Sequence, residues 1–105
     1  MNAQLKKGLL DICVLAVLNH GESYGYKILK DLGDLIDLSE STLYPILRRL
    51  ETGNCVTVRS VEHEGRLRKM YTITSTGKAQ LVDFLTDWKE VERIYQYIKE
   101  SVDLD

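Results

Sequence analysis

Leu81, Phe84, Trp88, Val91, Tyr95, Ile98 and Val102 follow one another at spacings that alternate between three and four without a break. That is a coiled-coil seam of three heptads. It predicts one helix from about Thr76 to Val102, capped by Thr74 or Ser75. A helix of roughly 27 residues rises about 40 Å, longer than a domain built from the ~70 preceding residues can cover. The helix is expected to project from its domain, the alternative being a single long helix packed on its own domain. The seam is therefore read as a homodimer interface, formed by Leu81, Phe84, Trp88, Val91, Tyr95, Ile98 and Val102.

The remaining residues must make the domain. At 105 residues with 44% apolar and 29% charged side chains, the chain suits one modest core. No apolar run reaches the ~18 residues of a membrane span. Leu9–Leu18 follows Lys6 and Lys7 but precedes no small-residue cleavage site, so a cytoplasmic protein with no membrane partner is expected. Cys13 and Cys55 form no CxxC pair, and His20 and His63 have no partner at ligand spacing. Reduced thiols, no metal and no cofactor are the expectation. No Ser-His-Asp or Cys-His pairing and no glycine-rich phosphate loop is present, which argues against an enzyme.

Two helical patterns come first. Gln4 to Asn19 carries two apolar stripes, Leu5-Leu9-Ile12-Ala16 and Leu10-Val14-Val17. A single small core buries only one of them. Asn19-His20-Gly21 ends the helix. The second helix is read from Ser23, its cap, to about Leu35, with Tyr24, Ile28, Leu32 and Leu35 inward and Lys27 and Lys30 outward. Gly25 costs ~1 kcal/mol there relative to alanine, a cost that close approach of another backbone would explain.

After a short connector comes Ser39-Glu40-Ser41-Thr42-Leu43-Tyr44-Pro45-Ile46-Leu47-Arg48-Arg49-Leu50-Glu51. Leu43, Ile46, Leu47 and Leu50 mark one face of a helix. Ser41, Thr42, Tyr44, Arg48 and Arg49 line the other, with hydrogen-bonding groups and positive charge. Ser39 or Ser41 can cap it, and Pro45 is expected near the first turn, where its missing N–H is harmless. Two helices so joined form a helix-turn-helix, and the second is read as a DNA recognition helix. Glu40 suits the positive end of the helix dipole and is taken as a cap-region residue, not a contact.

Cys55–Val61 and Lys69–Thr74 are rich in β-branched residues, and Val56 and Val58 are expected to face Tyr71 and Ile73 across a hairpin. The seven residues between, Glu62 to Arg68, form a polar turn around Gly65. A hairpin after a helix-turn-helix is a wing, and Arg66, Arg68 and Lys69 at its tip and second strand are placed to meet a phosphate backbone or minor groove. The net charge of −2 conceals a local excess: residues 44–69 hold six Lys/Arg against three Asp/Glu.

The expected fold is thus mainly α with a small β-hairpin: a winged helix-turn-helix over 1–74 and a C-terminal dimerisation helix over 75–105. Ser41 and Thr42 are the expected base or near-base contacts. Tyr26, Lys27, Tyr44 and Arg48 would position phosphates, with Tyr44 equally readable as core. The partner would be an inverted-repeat operator in double-stranded DNA. A winged helix used only for protein–protein interaction is the alternative, and apolar residues on the outer face of the recognition helix would be its mark. Trp88 has two readings also. It is either interface packing or, with Phe84, Val91, Tyr95, Leu9 and Ile12 around it (Leu5 also at hand), a site for a small planar aromatic ligand.

Gly25-Tyr26, Ser41-Thr42-Leu43-Tyr44-Pro45-Ile46-Leu47 with Leu50-Glu51, Gly65-Arg66, Arg68-Lys69 before Tyr71, and Ile73-Thr74 with Gly77 and Leu81 resemble, in this order and spacing, the PadR family of bacterial transcriptional regulators. The resemblance covers nearly the whole chain, and the single C-terminal helix is similar to the family's small-subunit branch. It implies a homodimeric repressor of nearby genes, dimerised through its last helices and relieved by small aromatic or drug-like molecules. It further implies, from a multidrug-binding branch, that Trp88 lines an apolar pore at the dimer centre.

Overall fold

A computed structural model describes residues 2–102; the last three residues of the expected C-terminal segment lie outside that description. The order is α1 (Ala3–Leu18), α2 (Gly25–Leu32), α3 (Glu40–Thr52), β1 (Val56–His63), β2 (Arg66–Ile73) and α4 (Ser75–Val102). It is a winged helix-turn-helix from which a long helix extends, as the sequence predicts, and the whole measures 62 × 26 × 20 Å. No helix among the described residues is long and apolar enough to cross a membrane.

Asn2 starts α1, its side-chain oxygen accepting the Gln4 amide at 2.8 Å. Of the helix's two apolar stripes, the one with Leu10 and Val14 turns inward. Together with Leu15 and Leu18 it meets Ile28 and Leu32 of α2, the four apolar residues of α3, and Cys55, Val56 and Tyr71 of the hairpin. Leu5 and Ala16 of the other stripe are exposed, and Leu9 and Ile12 half-buried. One core was available, and it took one face.

Helix α2 differs from its expected form at both ends. Ser23 does not cap it. Its amide donates to the Tyr71 carbonyl at 3.1 Å and its carbonyl accepts the Tyr71 amide at 2.8 Å, an isolated antiparallel bridge to the outer edge of β2. The helix begins only after that bridge. It ends at Leu32, and Leu35 lies in the turn beyond, largely exposed instead of inward. Tyr24, extended at the start of α2, lies beside Arg68 of the wing and is half-buried.

Pro45 is also displaced from its expected place. The Ser39 carbonyl accepts from the amides of both Thr42 and Leu43, so α3 starts early and Pro45 falls in its second turn. One ladder hydrogen bond is lost there. Ser41, whose carbonyl would have accepted it, is solvent-exposed, so water can take its place.

The wing pairs Val56 with Ile73 and Val58 with Tyr71, as expected, but its strands run on to His63 and Arg66. The turn is only Glu64-Gly65, with φ of 52° and 78°. Two positive values suit a tight hairpin turn that follows the strand twist. In α4, Thr74 is the cap, accepting the Gly77 amide at 3.1 Å and donating to the Asn54 carbonyl at 2.6 Å. Its first turns pack on α1 and β2, with Leu81 against the core. From Lys89 to Val102 every residue is exposed.

Candidate nucleic-acid interface

The start of α2, the exposed side of α3 and the wing enclose a cleft of about 650 Å³ that gathers Tyr26, Tyr44, Arg66, Arg68 and Lys69. Five of the nine residues expected to meet DNA therefore share one concavity. Ser41, Thr42 and Arg48 lie exposed on the adjoining surface of α3. Lys27 is exposed on α2 and does not line the cleft. Arg66 and Arg68 share one face of β2 and Lys69 takes the other, because they alternate along a strand.

Tyr44 bridges its two readings. Its ring packs over Gly25, where a β-carbon would meet the hydroxyl oxygen at 2.6 Å, and its side chain is still 41% exposed. The close approach that Gly25 permits is thus a tyrosine ring and not another backbone. Beneath it lies Tyr71, whose phenol is pushed up by burial and, to a lesser degree, by Tyr44 and Glu51, with Arg48 opposing.

Three contacts organise the surrounding charge, and none was visible in sequence patterns. The Arg68 guanidinium lies 3.8 Å from the centre of the Tyr24 ring, a cation–π contact that holds the arginine beside the cleft. Arg59 grips both carboxylate oxygens of Glu22 at 2.7 and 2.6 Å, and Thr72 donates to the same carboxylate at 3.1 Å. The Arg59 hydrogen bond is the main cause that holds the Glu22 carboxyl below its usual range. This cluster pins the segment before α2 to the wing. Arg49, expected on the polar outer face, is instead tied to Asp11 of α1 at 2.7 Å. It fixes α3 to α1.

On the opposite flank of α3, Lys6 and Lys7 stand beside Thr42, Pro45 and Arg49. Neither lysine is among the nine residues expected to meet DNA. Their signal was an α1 first turn containing no acidic residue.

The residues expected to form a ligand site are only partly united. Phe84 and Trp88 stack with ring centres 5.5 Å apart and planes 26° from parallel, while Val91 and Tyr95 lie exposed beyond them. Leu9 lines a different cleft, with Leu35 and Ile36. Cys13 and Cys55 are free thiols, each raised by burial. Among the described residues no three His, Cys, Asp or Glu side chains gather as a metal site would require.

Residues 14–83 match the profile of the transcriptional regulator PadR-like family. The negative transcriptional regulator PadR of Bacillus subtilis (strain 168) is 34% identical over 82 residues, which are 73% of this chain and 45% of that protein. The X-ray structure of a PadR-like transcription factor from Bacteroides fragilis superposes with a TM-score of 0.82 at 31% identity, covering 91% of this chain and 95% of that one. B. subtilis PadR in complex with operator DNA gives a TM-score of 0.69 at 32% identity, over 73% and 46% of the two chains. The present chain thus spans less than half the length of the B. subtilis regulator. These homologues are transcriptional regulators, not enzymes. A family match from within α1 into α4, on a winged helix-turn-helix with a long last helix, leads to one conclusion: the chain belongs to the PadR-like family of transcriptional regulators.

Proposed function

We propose that this chain is a DNA-binding transcriptional repressor, acting as a homodimer on an inverted repeat and released by a small planar aromatic or drug-like molecule. The observation that carries DNA binding is the cleft in which Tyr26, Tyr44, Arg66, Arg68 and Lys69 converge next to the exposed start of α3. Ser41 and Thr42 would meet base edges in the major groove. The cleft and Arg48 would hold the flanking phosphates, and Lys27 would add charge nearby. A polar, basic outer face suits this role better than protein–protein interaction alone. The B. subtilis relative is named a negative regulator and is seen with operator DNA, which supports repression as the mode here.

Residues 1–74 would supply the DNA-binding unit and 75–105 the dimerisation helix. Arg66→Ala and Lys69→Ala are the test of the first unit. Each should weaken binding to any duplex and reduce the salt slope by about one ion per subunit. If both variants kept the affinity and the slope of the parent protein, the wing would have no part in binding.

Ligand control is argued from the Phe84–Trp88 stack. Two-fold pairing along α4 would bring two such stacks towards one axis, where a flat aromatic guest would lie between indoles. A guest that prefers the spread dimer changes the spacing of the two recognition helices and so lowers affinity for DNA. Trp88 is the only tryptophan, so its fluorescence reports the site directly. Planar aromatic cations and phenolic acids should quench it. A dimer that binds DNA but is quenched by none of them leaves Trp88 as interface packing.

A further inference from the structure

The recognition helix has a second wall. On the flank away from the wing, a cleft of about 380 Å³ is lined by Lys6 and Lys7 of α1 and by Thr42, Pro45 and Arg49 of α3. Residues 41, 44 and 48 make one ridge of α3 and residues 42, 45 and 49 the next, since helical neighbours recur at three and four. The first ridge borders the wing cleft through Tyr44; the second borders the lysines. The outer surface of α3 therefore runs along a trough, with basic groups on both sides.

Lys6 and Lys7 are exposed and take part in no ion pair among the described residues. Arg49 has its charge answered by Asp11. The two lysines stand within the first two turns of α1, which has no acid in its first turn. Cations near the positive end of a helix are unfavourably placed. A local rule broken with no compensation inside the chain points to a partner outside it. A helix with its side chains is about 10–12 Å across and a major groove is about 12 Å wide. A helix lying in that groove has one phosphate backbone along each flank.

We infer that Lys6 and Lys7 grip the phosphate backbone on the side of the major groove opposite the wing. The two strands bordering each half-site are then held by different elements of one subunit. This rests on the DNA-binding reading above and adds contacts to it.

The test uses the full chain and a mixed-sequence duplex of about 30 base pairs, long enough for two half-sites, with affinity followed against salt. Lys6→Gln and Lys7→Gln should each lower affinity about three- to tenfold near 0.1 M salt and reduce the slope by about one ion per subunit. Lys7→Arg should bind like the parent, and Lys99→Gln, far out on α4, should change neither quantity. Neither Lys6→Gln nor Lys7→Gln should melt below the parent, and Lys6→Gln should melt at or slightly above it, since it removes a cation from the positive end of α1. The inference is overturned if Lys6→Gln combined with Lys7→Gln keeps the parent slope while Arg66→Ala lowers it, an outcome that leaves the wing in place. It is also overturned if Lys99→Gln costs as much, because net charge would then be the cause. If the parent binds no duplex in a salt-dependent way, the DNA-binding reading falls and takes this one with it.

Discussion

The Tyr44 hydroxyl lies over the α-carbon of Gly25, with the ring carbon that bears it 3.2 Å from where a β-carbon would be. From the sequence, Gly25 signalled close approach of another backbone, and the Tyr44 ring stands there instead. Gly25→Ala should force the ring outward and cost up to about 2 kcal/mol, the usual overpacking loss less what alanine gains in a helix. The change should also weaken DNA binding, since Tyr44 is part of the cleft. Adding Tyr44→Phe removes the hydroxyl, and the pair should be coupled by at least ~0.5 kcal/mol in a double-mutant cycle. Urea unfolding of the four proteins measures it. Strict additivity would mean that the two residues do not touch.

The wing and α4 depend on one joint. Gly77 sits so close to the Cys55 carbonyl and to Ile73 that an added β-carbon would overlap the first and come within 2.7 Å of the second. That carbonyl cannot yield, because it accepts the Thr74 amide at 2.9 Å. Gly77→Ala should therefore cost about 2–3 kcal/mol, read as a shifted urea midpoint with little change in slope. A midpoint equal to the parent's would show that the helix can slide without loss. The hairpin itself was legible where it is half-buried: Val56 and Val58 alternate, and so do Tyr71 and Ile73. Its outer half was not, because Glu62, His63 and Arg66 are exposed and leave no apolar alternation to read.

Beyond Trp88 every described residue of the last helix is exposed. Fourteen exposed residues from Lys89 to Val102 are about the length at which an isolated helix is marginal in water. They carry Val91, Ile94, Tyr95, Tyr97, Ile98 and Val102, all more than 40% exposed. A second copy along the seam, with its α1 face of Leu5, Leu9 and Ile12, would cover much of this surface. Sedimentation should return twice the 12.1 kDa of one chain at micromolar concentration. Val91→Asp or Ile98→Asp should give the single-chain mass or an unfolded protein, since a buried unpaired charge is costly. A parent protein that sediments as one chain would remove the dimer, and with it the two-fold operator.

The apolar face of α3, the pairing of the hairpin and the unbroken seam of α4 were determined by the sequence itself. Each is a periodic pattern set by backbone geometry, which neighbouring residues write into the chain. Only the tertiary structure decided the rest. Ser23 was claimed by Tyr71, which shortened α2; Arg49 went to Asp11; Tyr44 came to rest on Gly25; and Lys6 and Lys7 came to stand beside Thr42. These contacts join residues about 20 to 50 positions apart. Such partners are chosen by which surfaces the packed core brings together, and no local periodicity carries that information.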